Sequence, residues 1–135
     1  MNKKILIITA NYYKDIAQNL TFGATKYCAS KNIEADIIEV SGSFEIPFII
    51  SKKRNFYDGF VALGCVIRGE TYHFELISNQ VSRKIMDLSI EISKPIGFGI
   101  LTCENIEQAF IRSDPEQKNK GSEAASACID LLNFK

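Results

Sequence analysis

The stretch GCVIRGETYHFE, residues 64–75, holds the single histidine of this chain, His73. An apolar run leads toward it, and a turn built on Gly69, Glu70 and Thr71 stands before it. The backbone N–H groups of Gly69, Glu70 and Thr71 are expected to point outward unpaired, and the Thr71 hydroxyl adds a donor. Such a turn can hold an anion. A neutral imidazole in the first helical turn can take a proton near neutral pH. The plain alternative is a threonine capping a helix and a histidine that only packs. Spacing leaves both open.

Three more segments carry groups that could do chemistry. ANYYKD (10–15) offers Tyr12 and Tyr13, which either pack near the surface or present a flat face to a heterocycle. SGSFEIP (41–47) puts Gly42, Ser43, Phe44 and Glu45 at a helix start. Glu45 there either favours the helix dipole or joins freed backbone N–H groups around a polar ligand edge. IRSDPEQKNKG (111–121) carries Arg112 and Lys120. They form either a solvated helix end or a phosphate clamp, since arginine pairs two hydrogen bonds with phosphate. Cys28, Cys65, Cys103 and Cys128 stand far apart with no C-x-x-C pair. One histidine cannot complete a tetrahedral set, so no metal site is expected, and the thiols are expected to be reduced and half-buried.

The frame that must position these groups is readable in outline. KILIIT (4–9) and FVALGCVI (60–67) are nearly continuous apolar runs, as strands buried on both faces require. IEADIIEV (33–40) and IGFGIL (96–101) complete four strands. Helices are expected from Asp15 to about 31, over 44–54, 74–92, 105–113 and 120–132. Asp15 caps or charges the start of the first. Pro47 is tolerated in the first turn of the second. In the third, Ile77, Val81, Ile85, Leu88 and Ile92 recur along one face. Strand alternating with helix means right-handed crossovers and a covered parallel sheet. The expected fold is a flavodoxin-like three-layer α/β/α sandwich with a four-stranded parallel sheet, forming one domain over 1–135. Ligands bind such sheets at the carboxyl ends of the strands, where strand order reverses. That rule selects the loops 10–14, 41–45, 68–73 and 102–105. The first lacks both the clustered acids of a phosphoacceptor receiver and the Ser/Thr/Gly phosphate loop of a flavodoxin.

Acids and bases balance at 16 each, so nothing marks a nucleic-acid partner, and a neutral particle is free to associate with copies of itself. The apolar run at the start is too short for a signal-peptide core, and no segment approaches membrane-spanning length. A cytoplasmic protein is expected.

Taken together, ALGCVIRGETYHFE (62–75), SGSFEIP (41–47), PIGFGILT (95–102), EQAFIR (107–112) and NKGSEAA (119–125) resemble the lumazine synthase family. The likeness spans almost the whole chain in order, and the 68–73 segment is its most specific part. It implies a transferase of riboflavin biosynthesis. The family condenses 5-amino-6-(D-ribitylamino)uracil with 3,4-dihydroxy-2-butanone 4-phosphate, without metal or organic cofactor. The resemblance implies Tyr12 as the stacking aromatic, and Ser43, Phe44 and Glu45 as holders of the ring and ribityl chain. It implies that the backbone of Val66 and Ile67 reads the pyrimidine edge, that Glu70 and Thr71 bind phosphate, and that His73 transfers protons. Phe98, Arg112 and Lys120 match residues that a neighbouring subunit contributes, Arg112 being the main phosphate ligand.

Some positions depart from the family pattern. The usual Arg-aromatic-Asn is Asn11-Tyr12-Tyr13, the proline before the second-loop glycine is Ser41, and DPEQK (114–118) replaces the common Gly-Thr-Lys-Ala-Gly. The resemblance implies a homopentamer. In some members twelve pentamers build an icosahedral shell of sixty subunits; that alternative stays open, because no insertion separates the last two helices. The chain starts close to its first strand, without the longer segment that often pairs with a neighbour's sheet edge. Rival readings are an archaeal-type riboflavin synthase and a non-catalytic flavin- or lumazine-binding protein.

Overall fold

The two most apolar runs of the sequence become the two inner strands. In the computed structural model, which describes residues 2–69 and 73–134, β1 (Lys4–Ala10) and β3 (Gly59–Ile67) pair side by side. β2 (Glu34–Val40) and β4 (Ile96–Cys103) flank them, giving the order β2-β1-β3-β4 with parallel pairing throughout. Helices α1 (Lys14–Ser30), α2 (Ile46–Lys53), α3 (His73–Ile92), α4 (Ile106–Ser113) and α5 (Lys120–Leu132) connect or follow the strands. The expected flavodoxin-like three-layer sandwich is therefore observed.

Alternation along the inner strands sorts the two cores. Ile5, Ile7, Val61 and Leu63 face Ile16, Leu20 and Ala24 of α1, Ala109 of α4 and Ala125 and Ile129 of α5. Leu6, Ile8, Phe60 and Ala62 face Ile46 and Ile50 of α2 and Val81, Ile85 and Leu88 of α3. Stepping from β1 to β2 runs across the sheet in one direction with α1 on one face. Stepping from β2 to β3 and on to β4 reverses both direction and face. Reversing both together preserves one hand of crossover, and the reversal point lies between β1 and β3.

Local chemistry sets the boundaries. Asp15 lies in the first turn of α1 but does not cap it, since the N-cap position is Tyr13 and no side chain closes it. Its role is the charge at the helix start. The expected continuous helix over 44–54 divides: Ser43–Glu45 form a 3₁₀ turn and α2 begins at Ile46. Pro47 explains the division, because it has no N–H to offer the carbonyl four residues back. The tighter bond from Glu45 N–H to the Gly42 carbonyl, 3.1 Å, takes up the turn. Asn105 is the N-cap of α4, its side-chain oxygen accepting from Gln108 N–H at 2.9 Å.

Two glycines permit close approach. A Cβ on Gly64 would stand 2.7 Å from Ser43 Oγ, so glycine lets the 3₁₀ turn sit against β3 with that hydroxyl in its place. A Cβ on Gly121 would stand 2.1 Å from the carbonyl oxygen of Leu20, at the crossing of α5 and α1. All four cysteines are buried, not half-buried as expected. Each faces the core from a strand or helix, and burial pushes the Cys65 and Cys128 thiols up to about 12. No helix among the described residues is long and apolar enough to cross a membrane.

Candidate active site

The carboxyl ends of β1 and β3 part around a cleft of about 730 Å³. Seven of the expected site residues meet there: Tyr12 from the β1–α1 loop, Ser43, Phe44 and Glu45 from the 3₁₀ turn, Val66 and Ile67 from β3, and His73 from α3. This is the crevice that strand-order reversal selects. Tyr12 is 74% exposed and Phe44 57%, so both present aromatic surface to whatever enters. Tyr12 is braced edge-to-face by Tyr13, with ring centroids 4.9 Å apart at 83°. Ser41 Oγ donates to Glu45 Oε1 at 3.3 Å, fixing the carboxylate at the lip. Ser43 is buried, and its Oγ has no hydrogen-bond partner among the described residues. A buried hydroxyl of that kind is a group for a ligand to satisfy. His73 is the first residue of α3 and lines the same cleft.

Phe98, Arg112 and Lys120 do not join this cleft. They line a second one of about 320 Å³, against the edge strand β4 and between α4 and α5. Arg112 Nη1 donates to the carbonyl oxygen of Thr102 at 3.3 Å and to Cys103 Sγ at 3.4 Å. Lys120 Nζ lies 3.2 Å from Glu123 Oε1, one turn along α5. Arg112 and Lys120 thus give the second cleft its two basic side chains, and its wall is the open edge of the sheet. Glu70 and Thr71, the expected phosphate turn, lie outside the described residues.

Over residues 2–135 the chain matches the protein family described as 6,7-dimethyl-8-ribityllumazine synthase. It belongs to that family. Among relatives bearing the same name, the protein of Bartonella bacilliformis is 44% identical, the alignment covering 100% of this chain and 91% of that one. That of Zymomonas mobilis is 45% identical over 98% of this chain and 96% of its own length. That of Agrobacterium fabrum is 45% identical over 97% and 93%. The relatives are named as enzymes, and the family resemblance carried by the 62–75 and 41–47 motifs agrees with them.

Sequence reasoning missed three cleft residues of this lumazine synthase family member: Cys65, Leu76 and Ile77. Their signals were present. Leu76 and Ile77 stand three and four residues beyond His73, the spacing that shares a helical face. Cys65 alternates with Leu63 and Ile67 on β3 and reaches the cleft only because the strand ends there.

Proposed function

We propose that this chain condenses 5-amino-6-(D-ribitylamino)uracil with 3,4-dihydroxy-2-butanone 4-phosphate to give 6,7-dimethyl-8-ribityllumazine and phosphate. Water is lost at imine formation and again at ring closure. The observation that carries the reading is the meeting of Tyr12, Ser43, Glu45 and His73 in one cleft of a chain of this family.

Tyr12 stacks on the pyrimidine, and Phe44 closes over it. The Ser43 hydroxyl and Glu45 carboxylate bind the polar edge and the ribityl hydroxyls, while the backbone of Val66 and Ile67 reads the pyrimidine. The aryl amine is already a competent nucleophile, so attack on the ketone needs proximity and proton shuttling more than a strong base. His73 supplies the shuttle. Departure of phosphate needs its growing charge stabilised, and Glu70 and Thr71 together with Arg112 and Lys120 do so. Because the basic cleft is separate from the aromatic one, Phe98, Arg112 and Lys120 act in the site of a neighbouring copy. The working unit is a homopentamer in the cytoplasm, where buried thiols stay reduced.

The test is to mix the purified protein with both substrates and follow lumazine fluorescence above the uncatalysed rate. Acceleration supports the enzyme. No acceleration, with riboflavin still bound, favours a binding protein. Turnover of lumazine itself to riboflavin favours the riboflavin synthase reading.

A further inference from the structure

We propose that Arg68 sets the field at the rim of the cleft, cancelling carboxylate charge beside the first turn of α3, where His73 stands. Arg68 directly follows Ile67, the last residue of β3, and its backbone N–H donates to the Cys103 carbonyl at 2.9 Å. Its Nε donates to both oxygens of Glu104, at 2.9 and 3.2 Å, in the loop after β4. Its Nη1 pairs with Glu75 Oε1. Its Cζ stands 4.5 Å from the ring centroid of Phe74, which is buried under α3. Phe74 and Glu75 are the two residues immediately after His73. One guanidinium therefore ties the end of β3, the β4–α4 loop and the start of α3 at the rim where His73 stands.

The Arg68, Glu75 and Glu104 side chains are 44%, 34% and 59% exposed, and ion pairs so open to water add little to stability. Their consequence is in the local field. With Arg68 in place, the cluster of Arg68, Glu75 and Glu104 carries one net negative charge; without it, two. This inference rests on the function proposed above, in which one substrate arrives as a phosphate. One more uncompensated carboxylate charge close to that route weakens phosphate binding by about tenfold at low salt.

The test is Arg68→Gln, with Arg68→Lys as the variant that keeps the charge. The expected result for Arg68→Gln is a KM for the phosphorylated butanone raised about tenfold, with the KM for the uracil within about twofold. The difference should shrink toward ~1 M salt, where screening acts within about 3 Å. Adding Glu75→Gln and Glu104→Gln to Arg68→Gln should restore the lost affinity, and Arg68→Lys should keep most of it. The proposal is overturned if both KM values rise together, if salt has no effect, or if removing the two carboxylates restores nothing. The last result would mean that Arg68 touches phosphate directly. If the unaltered protein makes no lumazine, the proposed function fails. Arg68 is then judged by inorganic phosphate alone, from ³¹P NMR line broadening: weaker binding in Arg68→Gln, reversed by the two glutamines, upholds it, and unchanged binding overturns it.

Discussion

Arg112 hands a hydrogen bond to the carbonyl oxygen of Thr102, 3.3 Å away, and this anchors its guanidinium at the end of the edge strand. His73 opens into a different cleft of the same chain. On the function proposed above, the two side chains that serve one centre come from two copies.

Arg112→Ala is expected to lower kcat/KM by about 10²–10³-fold, the usual loss when a charged donor to a developing anion is removed. His73→Gln is expected to cost less, on the order of tenfold, because solvent can carry part of the proton traffic. Steady-state assays of both variants check the ranking. Equal losses would refute it.

Subunit sharing predicts complementation. Arg112→Ala spoils the basic cleft and Tyr12→Ala the aromatic one, so each homogeneous preparation is nearly inactive. Unfolding and refolding the two together at equal ratio should recover activity at about one junction in four, where an intact aromatic cleft meets an intact Arg112. Activity no greater than the two residues' separate preparations give would place the whole site in one chain.

Gly121→Ala forces a Cβ to within 2.1 Å of the Leu20 carbonyl oxygen unless α5 moves off α1. Backbone cannot yield as a flexible side chain can, so a loss of about 1–3 kcal/mol is expected. Urea unfolding of the variant measures it; an unchanged midpoint would show that the crossing has slack.

The pH dependence of stability should carry a signature of Tyr57 and Asp36. Tyr57 Oη donates to Asp36 Oδ2 at 2.7 Å, and this bond, helped by Lys4, holds the carboxyl below its ordinary range. A depressed folded-state value contributes stability that is present above the unfolded value of about 3.9 and is lost as pH falls through the folded one. Tyr57→Phe should therefore lower the unfolding midpoint at neutral pH and approach the unaltered protein in acid. A gap that persists unchanged at low pH would assign the effect to ring packing.

The sheet was legible in the sequence because its inner strands are buried on both faces, and unbroken apolar runs such as ILII and FVAL have few other uses. The aromatic cleft was legible because one topological rule names the loops that build it. Pro47 carried the signal for the break between Ser43–Glu45 and α2, but a proline in a first helical turn is ordinarily compatible with an uninterrupted helix. The burial of the four thiols could not be read from spacing, since it depends on which face of each element meets the other layer. Cys65, Leu76 and Ile77 escaped notice because apolar residues look alike whether they line a cleft or fill a core. The separation of Arg112 from His73 followed from the family likeness alone; nothing in the linear order distinguishes a clamp that closes within a chain from one that closes between chains.

The lone histidine, standing as the first residue of α3 inside the cleft, makes the protein its own spectroscopic probe. In tag-free protein, with one histidine per chain, every imidazole signal in a proton spectrum reports the rim of the cleft and nothing else. A symmetric ring of copies gives one set of ring-proton resonances; a set that splits on partial loading with substrate would mean that the filled and empty sites of one assembly sense each other.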